Sequence, residues 1–184
     1  MNELKLIQKC IQRKPKAQQE LYEQFAPKML GVCLRYTANV ETARDLLQEA
    51  FITVFSQLHT YKGAGSFEGW IRRIVVNTAL MFIRKTTLFA DYEDLDNHEA
   101  VVSVATTTLE ELSAADLMRM IESLPTGLRT VFNLYAVEGY SHQEIAQLLS
   151  ISEGGVRSQY SRARKQLQQL IIAEYGESFR KRSF

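Results

Sequence analysis

A chain of 184 residues with no Gly/Pro-rich or repetitive tract is long enough for one or two small domains with real cores, and two is the better count. Its formal net charge of +1 hides a sign that changes twice: residues 1–90 carry 13 Lys/Arg against 7 Asp/Glu, residues 91–117 none against 8, and residues 118–184 carry 9 against 6. No apolar run approaches the roughly 20 residues that cross a bilayer, and Met1 to Pro15 lacks an apolar signal core, so membrane insertion and export are not expected and a cytoplasmic location is.

Two basic blocks flanking an acidic one suit two nucleic-acid-facing domains joined by a segment that avoids nucleic acid or competes for the same basic surfaces. Cys10 and Cys33 are too few for a disulfide framework. His59, His98 and His142 lie far from either and from each other, so both cysteines read as small buried apolar groups and no metal or cofactor is expected.

In chain order, Leu4, Ile7 and Ile11 sit at helical spacing before Pro15. Ala17, Leu21 and Phe25 resume it, and Pro27 marks a kink or boundary before Leu30, Cys33 and Tyr36. Two helices, or three, follow from this. Asn39 is placed to cap the next helix, whose broad apolar face is Leu47, Ala50, Phe51, Val54 and Leu58. Its other face, Asp45, Gln48, Glu49 and Ile52, is mostly polar, and on spacing alone it could be no more than a solvated surface.

The stretch Tyr61-Lys62-Gly63-Ala64-Gly65-Ser66 breaks the periodicity and predicts a loop, with Ser66 capping a long helix. In that helix Phe67, Ile71, Ile74, Val75, Thr78 and Phe82 form a packing stripe and leave Trp70, Arg73, Asn77 and Arg84 along another face. A tryptophan, cations and an amide on one face match the needs of single-strand binding, namely stacking on unpaired bases, phosphate neutralisation and base-edge hydrogen bonds. The same spacing also fits a Trp70 that finishes the core and an Asn77 that is merely exposed.

Asp91 to Thr107 has no helical stripe and reads as a flexible acidic linker. Thr108 with Glu111 has capping-box spacing, which predicts a second domain from near Leu109, with Leu112, Leu117, Ile121 and Leu124 inward until Pro125. A helix over 126–137 carries Leu128, Val131, Phe132 and Tyr135, and Gly139 is placed to end it.

The stretch Ser141 to Leu170 reads as a helix-turn-helix. Ser141 and Glu144 form a second capping-box pattern, Ile145, Leu148 and Leu149 share a face, and Ser150-Ile151-Ser152 is a short polar corner with Ser152 able to cap the next helix. There Val156, Tyr160, Ala163, Leu167 and Leu170 form the packing stripe, while Arg157, Ser158, Ser161, Arg162 and Lys165 fall outside it. A helix fits the major groove, where Arg pairs with guanine bidentately and cations meet phosphates, so this polar, basic face has a chemical purpose. No period-two strand pattern survives, and the fold class is all-α.

With these motifs in hand, the chain resembles the extracytoplasmic-function (ECF) group of bacterial sigma factors over nearly its whole length. Asp45-Leu46-Leu47-Gln48-Glu49-Ala50-Phe51-Ile52 is similar to the family's clamp-binding helix, and Trp70-Ile71-Arg72-Arg73-Ile74-Val75-Val76-Asn77 to its promoter-melting helix. Leu124-Pro125, Arg129-Thr130-Val131-Phe132, Glu138-Gly139-Tyr140-Ser141, Glu144-Ile145-Ala146 and Arg162-Ala163-Arg164 resemble its region 4. The resemblance implies a region 2 helical bundle over residues 1–90, an acidic linker over 91–108 and a region 4 helix-turn-helix domain over 109–184.

It also implies that the chain binds the RNA polymerase core through the β′ coiled coil and the β flap, directs it to promoters and helps open DNA, without being an enzyme. Asp45, Gln48 and Glu49 would face the coiled coil. Tyr61, Lys62 and Ser66 would belong to the loop that captures a flipped −10 base, with Trp70, Arg73 and Asn77 beside it, and Arg157, Ser158, Ser161, Arg162 and Lys165 would meet −35 duplex DNA. The linker would thread toward the polymerase active site, and an anti-sigma factor is an expected partner. Two departures stand out: Met81 where many members have Asp, and Gly155 where Thr is usual. A stand-alone helix-turn-helix regulator and a sigma-like module that sequesters a partner remain the alternative readings.

Overall fold

The structure, a computed structural model, describes residues 3–37, 39–86 and 113–181, with side chains described as far as Gly176. It divides into two compact units, Met1–Thr86 and Thr87–Phe184. All the regular elements among the described residues are helical, as the periodicity requires.

The first unit packs α1 (Glu3–Ile11), α2 (Pro15–Thr37), α3 (Val40–Gln57), a 3₁₀ turn (Leu58–Thr60) and α4 (Phe67–Thr86) around one core. In α1 the buried stripe is Leu6, Ile7 and Cys10, whereas Leu4 and Ile11 are exposed. Both sets are helical stripes sharing Ile7 and roughly a quarter turn apart, so spacing alone does not choose between them. Helix α2 starts on Pro15, where the missing N–H costs nothing, and continues through Pro27. Pro27 is exposed, while Leu21, Phe25 and Ala26 before it and Met29, Val32, Cys33 and Tyr36 after it are buried. Burial on both sides of the lost hydrogen bond holds the helix together, so Pro27 is no boundary.

Asn39 caps α3 by accepting from the Thr42 N–H at 2.9 Å. Leu47, Ala50, Phe51, Val54 and Leu58 are all buried. In α4 the buried set is wider than one stripe and adds Val76, Ala79, Leu80 and Ile83, while Phe82 is only half-buried. Cys10 and Cys33 are buried free thiols, and desolvation raises Cys33 to a pKa of about 11.

The second unit comprises α5 (Ala114–Ser123), α6 (Thr126–Phe132) running into a π-helical turn (Asn133–Val137), α7 (His142–Leu149) and α8 (Glu153–Lys181). Thr108, Leu109, Glu111, Leu112 and the acidic stretch Asp91–Thr107 lie outside the described residues. The cap that is described at the start of α5 is Ser113, which accepts from the Asp116 N–H at 3.1 Å. Met120, Ile121, Leu124 and Leu128 meet Ala163, Leu167 and Ile171 of α8 in the core. Gly139 follows the π turn at φ +79°, a conformation that costs glycine little.

Arg129 is only 6% exposed, and its Nη1 donates to the carbonyl of Glu122 at 2.8 Å, satisfying one of the last carbonyls of α5. Burial lowers its pKa from the usual arginine value. Arg129 thereby tethers the end of α5 to α6.

Candidate functional site

Three surfaces carry the candidate residues. On α3, Asp45, Gln48, Glu49 and Ile52 are all exposed, Ile52 at 71% despite being apolar. The opposite face of the same helix is fully engaged in the core, so this acidic face is left free by the fold. Beside it lies a cavity of about 520 Å³ between α2 and α3, lined by Tyr22, Ala26, Pro27, Leu30, Arg44 and Leu47 and reaching Gln48.

The second surface is the loop before α4 together with the start of that helix. Gly63 (φ +74°) and Gly65 (φ +83°) are both left-handed, with open space where a Cβ would stand, so the loop needs glycine for its backbone path. The Tyr61 hydroxyl donates to the Gly65 carbonyl at 2.8 Å and closes the loop. Ser66 accepts from the Gly69 N–H at 3.3 Å, as a cap should. Trp70 lies nearly parallel to Phe67, with ring centroids 5.8 Å apart, and Tyr61 sits 4.9 Å from Phe67 and 5.7 Å from Trp70.

Trp70 is therefore half-buried in an aromatic cluster that joins loop and helix. The packing alternative holds for part of its ring, while Lys62, Arg73 and Asn77 are exposed outright. The Tyr61–Phe67–Trp70 cluster is legible in hindsight as three aromatics bracketing the loop. Helical spacing alone does not reveal it, because Tyr61 lies outside the helix. Lys28 reaches across from α2 to Glu68 at 2.7 Å and ties down the first turn of α4.

The third surface is the helix-turn-helix. The full capping box forms at α7: the Ser141 hydroxyl accepts from the Glu144 N–H at 3.2 Å, and Glu144 accepts from the Ser141 N–H at 2.8 Å. Ser150 takes a left-handed conformation at φ 58° to turn the chain, and Ser152 accepts from the Gly155 N–H at 3.0 Å at the start of α8. Val156, Ala163 and Leu167 are buried, and Tyr160 and Leu170 half-buried.

Tyr160 stands 4.5 Å from Tyr135 and 6.0 Å from Phe132, so the corner is held by rings from α6 and the π turn. Arg157, Ser158, Ser161 and Lys165 are exposed and Arg162 half-buried, on the side away from that packing. Two features escape the sequence reading. Gln159 is buried at 2% exposure, beside the stripe rather than on the polar side. Arg157 also pairs with Glu153 one turn earlier, a partner that the i,i+4 spacing would have revealed.

The described residues thus form two all-α units, one with a helix-turn-helix whose second helix exposes a polar, basic face and one with a helix whose exposed face is aromatic and partly cationic. The family model for sigma-70 region 2 matches residues 21–88, and that for sigma-70 region 4 matches residues 114–167. The ECF RNA polymerase sigma-E factor of Haemophilus influenzae is 30% identical over 178 residues, covering 90% of this chain and 93% of that protein. The ECF RNA polymerase sigma factor SigE of Mycolicibacterium smegmatis is 33% identical over 169 residues, covering 86% of this chain and 63% of its own length. Among solved structures, the sigma factor RpoE of Bartonella quintana, in complex with the anti-sigma factor NepR, superposes with a TM-score of 0.50 at 19% identity, over 83% of this chain and 95% of that one. The chain belongs to the ECF group of RNA polymerase sigma factors.

Proposed function

We propose that this sigma factor binds the polymerase core through Asp45, Gln48 and Glu49, opens −10 DNA with the Tyr61–Ser66 loop and the Trp70, Arg73, Asn77 face, and reads −35 duplex with α8. The observation that carries this reading is that the packing of each unit leaves Asp45, Gln48 and Glu49, Lys62, Arg73 and Asn77, and Arg157, Ser158, Ser161 and Lys165 exposed, and Trp70 half-exposed, while burying the apolar face behind them. An acidic helix face suits a basic partner, here the β′ coiled coil. A basic helix face suits DNA, and an aromatic ring at a helix start can stack on an unpaired base. Region 4 would meet the β flap, an anti-sigma factor would compete for these surfaces, and the protein would act in the cytoplasm without covalent chemistry of its own.

Charge reversal tests the first contact. Asp45→Arg combined with Glu49→Arg should weaken core binding at least tenfold while leaving the melting temperature nearly unchanged, because exposed charges contribute little to folding. Unchanged core affinity would remove the assignment of this face.

A further inference from the structure

Glu153 is the first residue of α8, and the Arg157 side chain one turn later donates to it at 2.5 Å from Nη2 to Oε1, with both side chains substantially exposed. From Gly154 through Lys165 the helix carries no other acid, but Arg157, Arg162, Arg164 and Lys165. Glu144 at the start of α7 lines the same concavity as Glu153 but is engaged in the capping box with Ser141, whereas Glu153 is paired with Arg157. On a face that meets phosphates, such a carboxylate lowers affinity for every DNA sequence, through repulsion and desolvation. An acid at a helix start also favours the helix dipole and adds to the Ser152 cap, which offsets part of the cost of Gly154 and Gly155 in the same turn.

Resting on the assignment of α8 to the −35 element, we propose that Glu153 and Arg157 read DNA as a pair, with Glu153 a specificity-determining residue in its own right. The carboxylate engages one guanidinium N–H and restricts a side chain that otherwise samples many rotamers. It leaves the other N–H groups of the fork for guanine O6 and N7. The second carboxylate oxygen accepts from the exocyclic amino group of a neighbouring cytosine or adenine. A base that presents an acceptor there, thymine O4 or guanine O6, sets one acceptor against another with no proton between them, so the pair rejects wrong sequences as well as binding right ones.

The test uses holoenzyme assembled from the full chain and core polymerase, with duplex promoters randomised across the −35 element. Glu153→Ala should bind the pooled library several-fold more tightly, steepen the salt dependence by about one unit, and lose about tenfold discrimination at a base pair next to the one that Arg157→Ala flattens. Glu153→Gln, which keeps an acceptor without the charge, should tighten pooled binding too but retain part of the discrimination. If Glu153→Ala keeps the wild-type base preferences while Arg157→Ala flattens one, the proposal is overturned and Glu153 is only a helix-terminal acid. If Arg157→Ala leaves the preferences unchanged as well, the −35 assignment of α8 falls and the proposal with it.

Discussion

Ser152 and Gly155 are an exchange made at single-residue scale. A Cβ at Gly155 would stand 3.2 Å from Ser152 Oγ, the atom that caps the helix, whereas a Cβ at Gly154 would meet the same oxygen at an ordinary 3.9 Å. Neither glycine has a positive φ, so both cost helix stability without a conformational need. Gly154→Ala should therefore stabilise the protein by about 0.5–1 kcal/mol in chemical denaturation, and Gly155→Ala by clearly less, since the cap must give way. Equal gains would show that the cap does not constrain the site.

A second residue-scale test concerns Asp116. Its carboxylate accepts from the Ser113 and Tyr175 hydroxyls at 2.6 and 2.7 Å and from Arg119 at 2.9 Å, which lowers its pKa from 3.8 to about 2. A depressed carboxyl contributes stability that is fully present above about pH 4 and is lost as pH falls toward 2. Asp116→Asn should thus remove part of the acid-side slope of the melting temperature between pH 4 and 2, with no change in pH dependence between 6 and 8. An unaltered acid limb would mean that the cluster linking α5 to the end of α8 is not formed in solution.

At the scale of elements, α4 must both pack and present. Asn77 is exposed and free of the core, while Trp70 shares an aromatic cluster with Phe67 and Tyr61, so their truncations differ in kind. Asn77→Ala should leave −35 duplex affinity intact and weaken single-stranded −10 binding in the polymerase complex, whereas Trp70→Ala should also lower the melting temperature. Equal loss on both DNAs from Asn77→Ala would point to misfolding rather than contact. The contrast shows how far helical periodicity reaches. It identifies the buried face of α3 closely, with Leu47, Ala50, Phe51, Val54 and Leu58 all buried, and that of α8 in part, where Val156, Ala163 and Leu167 are buried, Tyr160 and Leu170 half-buried, and Ile171 is buried in addition. It falls short where two stripes overlap, as at Leu4, Ile7 and Ile11 against Leu6, Ile7 and Cys10, and where burial overrides a local breaker, as at Pro27. Buried polar residues such as Arg129 and Gln159 were also illegible, since their partners come from packing rather than spacing.

At the scale of the whole molecule, two units with different faces on one chain are what an initiation factor needs and what a simple repressor does not. The site residues were legible mainly through family motifs; periodicity alone said that they were outward, not what they meet. The most direct measurement of the central claim is in vitro transcription with purified core RNA polymerase over fragmented genomic DNA, with and without this chain, mapping transcript 5′ ends. An initiation factor should give a set of discrete start sites that appear only with the chain, share −35 and −10 sequences, and vanish with Asp45→Arg plus Glu49→Arg. Tight binding of the chain alone to specific duplexes, with no change in start sites and no association with core, would contradict it.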